Sequence, residues 1–135
     1  MTTPNEFRGL IYSTFQAEWG SLTPFTFDNE QWDPPDGIPW VRLVVRNGTR
    51  RQKTLGRVGN RKFEREARVI LSIFTLPNTG QVLADELSQV FLNLFEGADL
   101  GVNVLAGETD YRERGTAEGW AMAEASADFT YDETR

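Results

Sequence analysis

Residues 64–95 read EREARVILSIFTLPNTGQVLADELSQVFLNLF, and this stretch decides the fold. Its first half alternates, with Ala67, Val69, Leu71 and Ile73 on one side and Glu66, Arg68, Ile70, Ser72 and Phe74 on the other. A period of two marks a strand with one face in the core. The second face grows apolar towards Phe74, so that end is expected to be covered by another element or another chain. Pro77-Asn78-Thr79-Gly80 stops the strand, with Asn78 or Thr79 as the expected cap of a helix. From Gln81 the period changes. Leu83, Leu87, Val90, Phe91, Leu94 and Phe95 form a helical stripe, and Gly97 ends it.

Working outward, Phe7, Leu10, Ile11, Phe15 and Trp19 share one face of a helix that begins at Pro4, with Thr3 as the expected cap, and stops at Gly20. The stretch from Ser21 to Trp40 holds four of the six prolines, a short edge strand at Phe25-Thr26-Phe27 and the turn Asp33-Pro34-Pro35-Asp36-Gly37. Its aromatic residues predict an ordered loop over one end of the core. Trp40–Arg46 alternates as a half-buried strand, and Asn47-Gly48 is a favoured hairpin pair. After the second helix, Val102, Val104 and Leu105 suggest a short strand, and 106–119 is a further strand or a loop. From Trp120 to Tyr131 the alanines alternate with polar residues and the segment ends Phe129-Thr130-Tyr131, which favours a strand over the helix that alanine content alone suggests. The small alanines let the helices approach the sheet closely.

The expected architecture is one α+β domain over residues 1–135. Two main helices, about 4–19 and 80–96, pack on one face of a mixed, mostly antiparallel sheet, and a basic hairpin of about 47–63 protrudes from it. No apolar run approaches the ~20 residues that span a bilayer, and the N-terminal residues lack the pattern of a signal peptide, so a cytoplasmic setting is the expectation.

Chemistry is sparse. The chain has no cysteine and no histidine, which removes thiolate chemistry and the commonest general base and metal ligand. The carboxylates Glu108, Asp110, Glu113 and Glu118 lie among arginines without calcium-loop spacing. Gly56-Arg57-Val58-Gly59 neither opens a helix nor leads into a phosphate-loop lysine. No enzyme, cofactor or metal is expected.

Charge is more informative. The net charge is −6, yet nine of the fourteen basic residues lie between Arg46 and Arg68, which marks a basic contact surface on an acidic body. The residues expected to carry an interface are Arg50, Arg51, Lys53, Arg57, Arg61, Lys62, Arg65 and, on the second strand face, Phe74. The hairpin has no aromatic residue apart from Phe63, so it lacks the stacking platforms of single-strand binders. A small phosphate- or nucleic-acid-binding module using the same hairpin is the alternative.

The order of these segments resembles the tail terminator proteins, the tail-completion or tube-capping proteins of long-tailed bacteriophages. The resemblance covers nearly the whole chain. It runs from the N-terminal amphipathic helix and the approach to IPWVRLVV, through QKTLGRVGNRKFEREARVILSIF and LPNTGQVLADELSQVFLNLF, to GWAMAEASADFTYDE. It implies a non-enzymatic virion protein, assembled in the host cytoplasm, that sits at the head-proximal end of the tail. Its partners would be further copies of itself in a ring, typically a hexamer, the tail tube protein and the head–tail connector. DNA would pass through the lumen without specific binding. The basic hairpin is then expected to order against a neighbouring subunit or the tube.

Overall fold

The computed structural model describes residues 4–20, 22–27, 30, 33, 37–52, 62–77, 81–95, 104–117 and 119–134, with the side chains at 49–52, 62, 104–106, 117, 133 and 134 excepted. In chain order these form α1 (Pro4–Trp19), β1 (Phe25–Phe27), β2 (Trp40–Gln52), β3 (Lys62–Thr75), α2 (Val82–Phe95), β4 (Val104–Ala117) and β5 (Trp120–Thr134). The sheet runs β1-β2-β3-β5-β4. Only β1 is parallel to its neighbour, and the remaining pairs are antiparallel. The fold is therefore α+β with an open mixed sheet. Among the described residues no helix is long and apolar enough to cross a membrane.

β3 is central because it carries a full ladder on both edges. Val69 lies opposite Val45 of β2 and Ala127 of β5, and Leu71 lies opposite Leu43 and Ala125. These residues point to the same face and are buried with Phe7, Ile11, Phe15 and Trp19 of α1 and Leu87, Phe91 and Phe95 of α2. Both helices thus cover one face. Phe7 stacks on Tyr131 at 4.6 Å and meets Phe129 edge-on at 5.7 Å, while Phe95 meets Phe129 at 5.9 Å. The row Ala123, Ala125 and Ala127 beneath them is fully buried. A larger side chain there would meet α2 or α1 directly.

Two expectations are corrected by the packing. Asn47-Gly48 is not a turn; β2 continues through it to Gln52, with one extra residue absorbed as a bulge between Asn47 and Arg50. The reason is tertiary. Asn47 points to the helical side, where its Oδ1 accepts the hydroxyl of buried Tyr131 at 2.6 Å. A side chain at Gly48 would come within 3.3 Å of the Glu66 carbonyl oxygen. Residues 47–52 and 62–63 are thus strand in the basic hairpin of about 47–63, and its link, within 53–61, lies outside the described residues.

The second correction is the face of α2. Its buried side is Ala84, Leu87, Ser88, Phe91 and Phe95, while Leu83 and Val90 of the expected stripe are exposed. Phe91 and Phe95 fill the space over β5, and Ser88 survives burial because its hydroxyl donates to the Asp85 carbonyl at 2.8 Å. Of the two readings of 106–119, a further strand or a loop, the structure has the strand, and 104–117 is one edge strand. Gly115, at φ 79, supplies a left-handed residue where β4 bulges against Met122, and Gly119, at φ 80, sits between Ala117 and its partner Trp120. The expected helix cap at Asn78 or Thr79 lies outside the described residues.

Replacing Ala125 with Leu inserts volume beneath two packed helices, and we expect a loss of about 1–3 kcal/mol of unfolding free energy by urea denaturation. The same substitution at Ser126, on the opposite face of the strand, is expected to cost far less.

Candidate interaction surface

Among the described residues the helices leave the second face of the sheet bare, and β-strand parity determines what stands there. Reading across β2, β3, β5 and β4, the register aligns Trp40, Phe74, Met122 and Gly115, then Arg42, Ser72, Glu124 and Arg112. The next row is Val44, Ile70, Ser126 and Asp110. Arg46, Arg68 and Asp128 come after it, and beyond them stand Glu66 and Thr130. The face is aromatic at one end and carries most of its charged side chains over the rest, around half-buried Val44 and Ile70.

At the aromatic end Trp40 stacks on Phe74 at 4.0 Å and meets Trp120 edge-on at 6.1 Å. The Arg42 guanidinium lies 5.3 Å from the Trp40 ring centre, within cation–π range. Phe74 is buried in this cluster. Its apolar outer position is thus occupied within the chain, the first of the two covers expected from the sequence.

Over the ionic part, arginines meet carboxylates across strands. Arg68 Nε donates to Asp128 Oδ1 at 2.8 Å, and Arg114 Nη2 donates to Glu124 Oε2 at 2.9 Å. On β4 itself Arg112 Nε donates to Asp110 Oδ2 at 2.8 Å. The Arg68 pKa is raised by the hydrogen bond and charge of Asp128. Asp110 is held below its usual value, mainly by the hydrogen bond from Arg112 and further by the Tyr111 amide. These pairs are solvated; Arg68 and Asp128 side chains remain 55% and 40% exposed, so solvent screens the pairs and they add little to stability. Their effect is on surface charge. They occupy the cations that a phosphate backbone would need.

A cleft of about 460 Å³ opens on this face, lined by Arg46, Glu66, Arg68, Glu108, Asp128 and Thr130 among others. Three carboxylates stand there against two guanidinium groups, one of which is already tied to Asp128. Among the described residues no group of three or more carboxylates is arranged to hold a metal ion.

The residues expected to form an interface are only partly brought together. The backbones of Arg50 and Arg51 lie at the far end of β2, opposite Arg65 and Glu64, and Lys62 begins β3 opposite Thr134. Lys53, Arg57 and Arg61 lie outside the described residues. Arg65 is half-buried on the helical side of β3, whereas Phe74 stands at the strand's other end on the bare face. They do not share a surface. Sequence reasoning missed that the acidic end of β5 runs beside the basic start of β3, with Asp132 opposite Glu64 and Glu133 opposite Phe63. The basic end of the sheet is a mixed one.

A polar contact ties β4 to the helical layer: the Tyr111 hydroxyl donates to Asp85 Oδ1 in the first turn of α2 at 2.8 Å. Burial first, then this hydrogen bond and the Asp85 charge, push the Tyr111 pKa up to about 12. No family model matches the chain, and no curated protein matches it. One solved structure, known only by a sequence designation, superposes with a TM-score of 0.56 at 14% identity, over 92% of this chain and 94% of its own. That likeness establishes a shared fold. What fold and surface define is an α+β domain with a two-helix layer, an ion-paired open sheet face and a long edge strand.

A tyrosine with a raised pKa stabilises the fold fully below the unfolded value near 10 and loses that contribution as pH climbs towards 12. Urea denaturation at about pH 9 and about pH 11.5 should show a fall in stability that is smaller in Tyr111→Phe than in the parent chain.

Proposed function

We propose that this chain is a tail terminator: a structural protein that forms a ring, in the manner of a hexamer, on the last ring of a phage tail tube. It ends tube growth there and offers its other side to the head–tail connector, within the virion. The observation that carries the reading is the order of segments along the chain. An amphipathic helix, a Pro-rich approach, two long antiparallel strands joined through a basic segment, a helix that folds back and a final Ala-alternating strand succeed one another as the resemblance describes. The bare sheet face adds support of a physical kind. Three of its arginines are bound to carboxylates, so a lumen lined by such a face would hold passing DNA weakly.

A second reading has one observation in its favour. Strand register gathers Arg50, Arg51, Lys62 and Arg65 at one end of the sheet, where a phosphate-binding module would want positive charge. Glu64, Asp132 and Glu133 at the same end weigh against it.

The decisive measurement is assembly of a phage tail tube protein in the presence of this chain. Added protein should shorten the tubes and leave a ring-shaped density at one tube end by electron microscopy; unchanged length with bare ends overturns the reading. In a gel shift with duplex DNA, the tail-terminator reading expects no retardation between about 50 and 200 mM salt. Retardation that collapses steeply over that range would favour the phosphate-binding module instead.

A further inference from the structure

Among the described residues β4 is an edge strand over its whole length, and its outward side carries a specific chemical pattern. The Tyr111 amide donates to Asp110 Oδ1 at 2.8 Å instead of to β5. It therefore points to the open edge, and in an antiparallel ladder the Tyr111 carbonyl points the same way. Between the bulges at Ala106/Thr109 and Glu113/Gly115, the run Thr109–Glu113 keeps an unbroken register with β5. This is a straight segment with a hydrogen-bonding position at its centre.

The sequence around that centre is Glu108-Thr109-Asp110-Tyr111-Arg112-Glu113-Arg114. It is antisymmetric in charge about Tyr111 on the bare face: Asp110 lies one residue before it and Arg112 one after, Glu108 three before and Arg114 three after. Turned end for end, the pattern is its own complement.

We propose that β4 is a strand-addition edge for a second copy of this chain, pairing antiparallel with its counterpart about a two-fold axis through Tyr111. The two Tyr111 residues then exchange amide and carbonyl hydrogen bonds. Asp110 faces the partner's Arg112, and Arg112 faces the partner's Asp110. The two five-stranded sheets join edge to edge with their bare faces on the same side. In the free chain the Asp110 carboxylate satisfies the Tyr111 amide, so the edge is closed by a side chain that a partner strand displaces. Charged residues and bulges on an edge commonly serve to block pairing. Blocking calls for like charges to meet when two copies approach, whereas here opposite charges meet. The pairing goes beyond the capping role and does not depend on it.

The test uses the full-length chain and two single charge reversals, Asp110→Arg and Arg112→Asp, with sedimentation velocity over a range of concentrations and circular dichroism to confirm folding. The parent chain should show a monomer–dimer equilibrium. Each reversal places like charges opposite one another twice in the dimer and should weaken self-association roughly tenfold or more. An equimolar mixture of the two variants restores both cross-strand pairs between unlike chains, and should form heterodimers although neither variant pairs well with itself. The ion pair inside each chain stays broken in that mixture, so its loss cannot imitate the rescue. A parent chain that is monomeric up to roughly millimolar concentration overturns the proposal. So do reversals that dimerise like the parent, or a mixture that yields no heterodimer. Ring formation by larger species is read separately, so loss of the dimer leaves the capping role standing.

Discussion

Everything in this fold depends on the register of β3, which is hydrogen-bonded along both edges. Because strand side chains alternate with a period of two, fixing Val69 between Val45 and Ala127 fixes both faces of the sheet together. A slip of one residue against β2 and β5 would turn Arg68 and Glu66 under the helices and put Leu71 and Ile73 in water. The aromatic packing of Phe7 against Tyr131 and Phe129, and the burial of the alanine row, both result from that one register. So does the ion pair between Arg68 and Asp128, since these residues are direct cross-strand partners.

The open sheet then has to manage its edges. On one side β1 covers β2 from Val41 to Leu43, and just beyond it Arg8 Nη2 donates to the Val45 carbonyl at 2.9 Å. On the other side Asp110 takes the Tyr111 amide. The two edges are closed by the same device, a charged side chain bonded to outward backbone, yet they differ in depth. Arg8 belongs to a packed helix, and moving it disturbs the core layer. Asp110 is a surface residue whose removal disturbs little. That difference makes β4 the edge open to exchange.

Much of this was legible in the sequence. The strand character of Ala67–Ile73 and of Trp120–Tyr131 came from strict alternation, and both helices came from their apolar periodicity and stop signals. Asn47-Gly48 misled because local turn chemistry is strong for that pair, while the force that straightens it is a hydrogen bond from Tyr131, 84 residues away in the chain. The stripe on α2 misled because Leu83 and Val90 have the right spacing and hydrophobicity, but the sheet selects the side that presents the small Ala84 and Ser88 with Leu87, Phe91 and Phe95. The run 106–119 was undecided because its partner, the outer edge of β5, is a property of the assembled sheet.

By itself the sequence determined the fold class, the central strand and its inward face, the helical pair and the uneven charge. Those are properties of periodicity and composition, which act over a few residues. Only the tertiary structure decided which charges meet. The register of β3 with β5 brought Asp132 and Glu133 beside the basic strand start. The register of β4 with β5 turned Glu108, Asp110, Arg112 and Arg114 to one face around Tyr111. Cross-strand neighbours are set by pairing between segments far apart in the chain, and no local pattern carries that information.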